Sequence, residues 1–151
     1  MKILMVCLGN ICRSPMAQGT LEHVAKRAGV ELYVDSAGTS GYHRGEAPDE
    51  RAMRCMSEFG IDISHQVSRQ LRSSDFDEFD IIYAMDRSNL KDLHALCENP
   101  ENLKKIKLLL DSSDGFHDVI VPDPYYGTQH DFERVYQMTM TAAERIITSM
   151  A

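Results

Sequence analysis

Cys7 and Arg13 stand at the two ends of the segment Cys7-Leu8-Gly9-Asn10-Ile11-Cys12-Arg13, with five residues between them. A thiol and a guanidinium at that spacing can enclose an oxyanion. The sulfur supplies a nucleophile, and the planar fork of arginine matches two phosphate oxygens and follows them as the phosphoryl group flattens in transfer. Cysteine thiols beside positive charge and a helix N-terminus ionise at about pH 3.5–7.5 rather than about 8.5, as attack at neutral pH requires. Ser14 adds a hydroxyl that can donate to the sulfur and stabilise it as a leaving group. The competing reading of any single Cys and Arg is a buried thiol near a surface cation.

A thiolate that attacks a phosphate ester also needs a proton donor for the departing oxygen. The segment Val121-Pro122-Asp123-Pro124-Tyr125-Tyr126-Gly127 offers one, since two prolines stiffen the backbone around a single aspartate and two tyrosines follow it. It lies within a stretch from about 111 to 129 without helical period, and loops of that length are usually functional or disordered. Asp123 is the candidate general acid; the competing reading is a plain Asp-Pro turn with tyrosines packed for burial.

The elements that position these groups follow from patterning. Ile3-Leu4-Met5-Val6 reads as a short buried strand, and Ser14-Pro15 as a helix start, with a capping hydroxyl and proline at the first helical position. Residues 7–13 then form a strand-to-helix loop. Gly9 allows it to turn, and its amides and the following helix N-terminus can face an anion. Further along, Ala17, Leu21, Val24, Ala25 and Ala28 share one helical face ended by Gly29, and Leu32 to Ser36 returns as a strand. Helices are expected over 49–59, 87–97 and 130–150, and strands over 79–84 and 105–109. This alternation predicts an α/β fold, a single-domain three-layer sandwich over 1–151 with a four-stranded parallel sheet and helices on both faces. The site then falls at the carboxyl edge of the first strand, where open α/β sheets bind ligands.

Composition narrows the function classes. The 151 residues, 43% hydrophobic, can bury one substantial core, and no Pro, Gly or Ser-rich linker divides them. The first apolar run is far too short for a membrane span or signal peptide, so the expectation is a cytoplasmic protein. Four cysteines are then expected as reduced thiols, with Cys55 and Cys97 on apolar helix faces. A net charge of −7 without any basic block argues against a nucleic-acid partner. The histidines show no metal-ligand spacing, and Cys7 with Cys12 lacks a second ligand pair, so no metal or other cofactor is expected.

The sequence resembles the low-molecular-weight protein tyrosine phosphatases from the first strand to the last helix. Val6 to Pro15 looks like the family's phosphate loop, including its second cysteine. Asp35-Ser36-Ala37-Gly38-Thr39, Met85-Asp86-Arg87-Ser88-Asn89 and Asp123-Pro124-Tyr125-Tyr126-Gly127 look like its later signatures, in order. The resemblance implies a flavodoxin-like strand order and hydrolysis of phosphotyrosine through a cysteinyl-phosphate. Cys7 would be the nucleophile, Arg13 the clamp, and Asp123 the acid for the phenolate and then the base for water.

By the same resemblance, the loop residues Leu8, Gly9, Asn10, Ile11, Cys12 and Ser14 would surround the phosphate, and Asn10, Ser14, Ser36 and His65 would hold the loop in shape by hydrogen bonds. Read without it, Ser36 is a strand-end hydroxyl and His65 a structural histidine. Tyr42 would form one wall of a deep slot and Tyr125 and Tyr126 the other, with the loop tyrosine on the surface as the alternative for Tyr42. Isoleucine at position 11, where related phosphoarginine phosphatases carry threonine, favours aryl phosphates. Cys12 would form a reversible disulfide with Cys7, or else pack the loop. The implied partners are phosphotyrosine-bearing proteins, a tyrosine kinase among them, and phosphate or related oxyanions; a monomer is favoured.

Other functions compete on the same loop. An arsenate reductase on this fold uses two further cysteines close together after the third strand, where only Cys97 lies here. A phosphotransfer carrier would have no need of Asp123. A non-catalytic phosphate-binding module would bind equally well without it.

Overall fold

The computed structural model describes residues 1–150. β1 (Lys2–Cys7) lies inside the sheet between β2 (Tyr33–Gly38) and β3 (Ile81–Ala84), with β4 (Ile106–Leu108) beyond β3. All pairings are parallel and the order β2-β1-β3-β4 is flavodoxin-like, as expected. A parallel strand covered on both faces reads as an unbroken apolar run, and Ile3, Leu4, Met5 and Val6 are all buried.

Alternation within β1 divides the interior in two. Ile3 and Met5 face the larger core, built with Met16 and Leu21 of α1 (Arg13–Ala28), Met56 of α2 (Glu50–Glu58) and Phe132 and Val135 of α5 (Gln129–Met150). Leu4 and Val6 face the smaller one, with Phe76 of α3 (Asp75–Glu78) and Leu93 of α4 (Arg87–Leu96). Helices therefore cover both faces, and the end of β1 is fixed from above and below before the phosphate-loop candidate begins.

Several boundaries differ from the sequence reading for identifiable reasons. α1 begins at Arg13, with Cys12 at the cap position and no side-chain cap, so Ser14 and Pro15 lie inside the first turn. The Ser14 hydroxyl is engaged by the loop instead. β3 starts at Ile81 rather than Phe79, because Phe79 closes the short α3, an element with too little periodicity to be anticipated. Ala28 is exposed at the end of its helix. Cys55 is fully buried, its thiol pushed up to about 11 by burial and by Glu133 and Glu58. Cys97 lies at the edge of the smaller core: it is half-buried just past α4, packs against that core, and donates to the Asn99 carbonyl at 3.4 Å. Among the described residues no helix is long and apolar enough to cross a membrane.

Close approach explains one glycine within a helix. A Cβ on Gly19 of α1 would lie 2.6 Å from Ile63 Cγ2 and 3.2 Å from Met56 Cε. Alanine has the better helix propensity by about 1 kcal/mol, but overpacking costs about 1–3 kcal/mol. Gly19→Ala is therefore expected to lower unfolding free energy by about 1 kcal/mol in urea titration; an increase would show that the Ile63 side chain yields freely.

Candidate active site

Residues 7–13 curl at the carboxyl end of β1, and hydrogen bonds around the outside hold the curl. The carbonyls of Cys7, Leu8, Gly9 and Ile11 accept from Thr39 N, Ser40 N, Ser68 Oγ and Asp49 N at 2.9–3.2 Å. With these carbonyls turned outward the amides are turned toward the enclosed space, and Asn10 N–H approaches Cys7 Sγ at 3.3 Å. Gly38, at the end of β2, is needed for this contact: a Cβ there would sit 2.7 Å from the Leu8 carbonyl.

Asn10 makes the turn. Among the described residues it alone of the non-glycines has a positive φ, 57°, so the left-handed conformation in the loop falls on Asn10, next to the glycine that was expected to let it turn. Asparagine tolerates this region, and its side chain secures it here. Nδ2 donates to Ser14 Oγ at 2.8 Å and to Ser36 Oγ at 2.9 Å, while Oδ1 accepts from Arg69 N at 3.0 Å. Because Ser14 Oγ already accepts from Asn10, its own hydrogen is free for Cys7 Sγ, 3.0 Å away. At Gly9 a Cβ would crowd the His43 ring at 3.1 Å. His65 is outside this network. It is exposed, no hydrogen bond joins it to Asn10 or Ser36 among the described residues, and the third bond to Asn10 comes from the Arg69 backbone.

Arg13 is 4% exposed, and a buried guanidinium needs partners. Nη1 donates to Asp86 Oδ2 at 2.6 Å and to the Val121 carbonyl at 3.1 Å, and Nη2 lies 3.9 Å from Asp123 Oδ2. Burial opposes its charge, but the Cys7 sulfur and the Asp86 and Asp123 carboxylates more than offset this, and its pKa is raised. Asp86 is the functional residue that sequence reasoning left without a role. Its Oδ1 caps α4 by accepting from Asn89 N at 2.8 Å while Oδ2 orients Arg13. The strand-then-helix pattern could have revealed the cap, but not the ion pair.

The proline-flanked loop is docked by its backbone. Val121 N donates to the Met85 carbonyl at 2.8 Å and Val121 O accepts from Arg13, so Asp123 stands over the curl with its Oδ1 accepting from Tyr125 N at 3.1 Å. A cleft of about 450 Å³ opens between them. Its floor includes Cys7, Cys12 and Arg13, with Leu8, Gly9 and Ile11; Tyr42, His43 and Ser40 form one side, and Asp123, Tyr125 and Tyr126 the other. Tyr42 and Tyr126 are 85% and 95% exposed, so the aromatic walls rise from the surface around the mouth. Asn10, Ser14 and Ser36 are buried behind the floor and act on the loop's shape. Burial, and then the nearby Asp49, Cys7 and Asp123, push the Cys12 thiol up, against Arg51.

Comparison with known proteins finds relatives along nearly the whole chain. The family described as low molecular weight phosphotyrosine protein phosphatase matches residues 2–151. The human low molecular weight phosphotyrosine protein phosphatase is 45% identical over 137 residues, 89% of this chain and 86% of that protein. A crystal structure of a protein tyrosine phosphatase from Entamoeba histolytica with Hepes in the active site superposes with a TM-score of 0.95 at 38% identity, covering 99% of this chain and 96% of that one. That of a drosophila arginine phosphatase gives 0.92 at 34% identity, covering 99% and 98%. The chain belongs to the low molecular weight phosphotyrosine protein phosphatase family.

Asp86→Asn separates the two tasks of Asp86, since asparagine caps helices as well as aspartate but brings no charge to Arg13. Hydrogen bonds to charged groups contribute about 1.5–3 kcal/mol, so kcat/KM on an aryl phosphate is expected to fall about 10- to 100-fold with little change in melting temperature. Unchanged kcat/KM would remove Asp86 from the site.

Proposed function

We propose that this protein is a phosphotyrosine phosphatase in which Cys7 Sγ attacks phosphorus, forming a cysteinyl-phosphate as the bond to the phenolic oxygen breaks. Asp123 gives its proton to that oxygen. The resulting carboxylate then takes a proton from water as the water attacks phosphorus, returning Cys7 as thiolate and releasing phosphate. Arg13 and the inward amides bind the equatorial oxygens throughout, where charge is spread in the transition state. The observation that carries this reading is the placement of Cys7, Arg13 and Asp123 around one cleft, with Nη2 of Arg13 3.9 Å from Asp123 Oδ2.

The aromatic rim of Tyr42, Tyr125 and Tyr126 suits a phenyl ring, and Ile11 on the floor offers an apolar contact rather than a hydroxyl. Phosphotyrosine-bearing proteins, a tyrosine kinase among them, are the partners this reading implies. It places the protein in the cytoplasm, where reducing conditions keep Cys7 a thiol.

Cys12, buried in the same loop, is the proposed redox partner. Peroxide would oxidise Cys7 to a sulfenic acid with release of water, and the Cys12 thiol would condense with it, releasing a second water and leaving a disulfide that a thiol reductant reopens. After peroxide and then dithiothreitol, Cys12→Ser should regain a smaller share of its own untreated rate than wild type does. An equal share would remove the protective role.

The reading as a whole is tested with metal-free enzyme on phosphotyrosine, phosphoserine and phosphoarginine peptides. Release from phosphotyrosine alone, lost in Cys7→Ser, is expected. Preference for phosphoarginine would move the substrate toward that of the drosophila relative, and no release from any would favour a docking module or reductase. Since the first step needs Cys7 deprotonated and Asp123 protonated, kcat/KM should be bell-shaped in pH, and Asp123→Asn should abolish its alkaline limb. Retention of that limb would count against Asp123.

A further inference from the structure

Asp75 is a carboxylate with 0% exposure at the start of α3, on the side of the sheet away from α1, and the chemistry above makes no use of it. Its oxygens accept from both ends of the Arg69 fork, Nη1 at 3.0 Å and Nη2 at 3.1 Å, and from Arg72 N at 2.8 Å. The Nε of Arg69 donates to Asp35 Oδ2 at 3.1 Å, and Asp35 Oδ1 in turn accepts from Ser36 N. Every nitrogen of this guanidinium is therefore committed, which fixes the side chain and the backbone that carries it.

That backbone is the part that reaches the catalytic loop. Arg69 O accepts from Gly38 N at 2.9 Å and Leu71 N donates to Gly38 O at 2.8 Å, so residues 69–71 lie along the end of β2. Arg69 N–H donates to Asn10 Oδ1, the contact that orients the Asn10 amide toward Ser14 and Ser36. A buried ion pair is a weak source of stability, because desolvation offsets its attraction, and apolar residues could fill the space as well. What apolar residues could not do is hold the backbone at position 69 in one register. We infer that Arg69 and Asp75 are positioning residues for the phosphate loop, acting through the Arg69 amide on Asn10, and through Asn10 and Ser14 on the Cys7 sulfur. The inference rests on the phosphatase reading of the site.

The test uses Arg69→Gln and Asp75→Asn, with Arg69→Lys, which keeps a cation beside Asp75 without the fork, should Asp75→Asn fail to fold. Small misplacement of a reacting group can cost about 100-fold, so kcat on an aryl phosphate is expected to fall about 10- to 100-fold while KM changes little. The rate of iodoacetamide alkylation at Cys7, read by peptide mass spectrometry at one fixed pH, should change in the same variants. Asp114→Asn is the control. It breaks the 2.8 Å pair of Asp114 with Arg145 of α5 and should lower melting temperature while leaving kcat and alkylation as in wild type. Folded Arg69 variants with wild-type kcat and alkylation would overturn the inference, as would an Asp114→Asn loss of kcat in proportion to stability. A wild type without turnover on any phosphopeptide would overturn the phosphatase reading, and the alkylation arm would still decide this one.

Discussion

The outward pairing of the phosphate-loop carbonyls is the constraint on which the site depends. A short loop that closes around an anion must present several amides to one point, and a peptide chain does so only if the carbonyls between them find partners elsewhere. Here the turn after β2, Ser68 and the cap of α2 supply those partners. Asn10 takes the left-handed conformation at the turn of the loop, and three side-chain hydrogen bonds hold it there. The sheet, the α1 start and the segment around Arg69 thus act together as a mould for seven residues.

Within that mould the electrostatics are local. A chain of net charge −7 would seem ill suited to an oxyanion, yet distant surface charge is screened beyond about 8–10 Å, whereas Arg13 and the loop amides act at contact distance. Arg13 is itself held by Asp86 and by the Val121 carbonyl, so the loop carrying Asp123 and the Arg13 guanidinium share one anchoring point. Such sharing fixes the Asp123 carboxyl relative to the Cys7 sulfur without a direct bond between them.

What the sequence made legible is what it encodes locally. The thiol, the guanidinium and the strand before them lie within about a dozen residues, and β1 reads as an apolar run because both of its faces are covered. The flanking prolines singled out Asp123 without separating an acid from a plain turn, and in the structure it lines the same cleft as Cys7 and Arg13. The pairs that cross the molecule were not legible: Arg13 and Asp86 are 73 residues apart and Arg69 and Asn10 are 59 apart, and nothing local in either member announces the other. Where local rules misled, the loop had overridden them. Ser14 lies within the first turn of α1 and keeps, of its two expected roles, only the one toward Cys7, the positive φ of the loop falls on Asn10 next to Gly9, and His65, placed in the network by resemblance, lies exposed at the surface.

On the proposed function, this loop makes and breaks a bond between phosphorus and one sulfur. The most direct measurement is acid quenching of the enzyme within milliseconds of mixing with a phosphotyrosine peptide, followed by mass spectrometry of the peptide containing residues 7–13. One phosphoryl group on Cys7 is expected, formed and discharged at rates compatible with turnover and absent in Cys7→Ser. Turnover without any phosphoryl group on Cys7, or a Cys7→Ser enzyme that still releases phosphate, would contradict it.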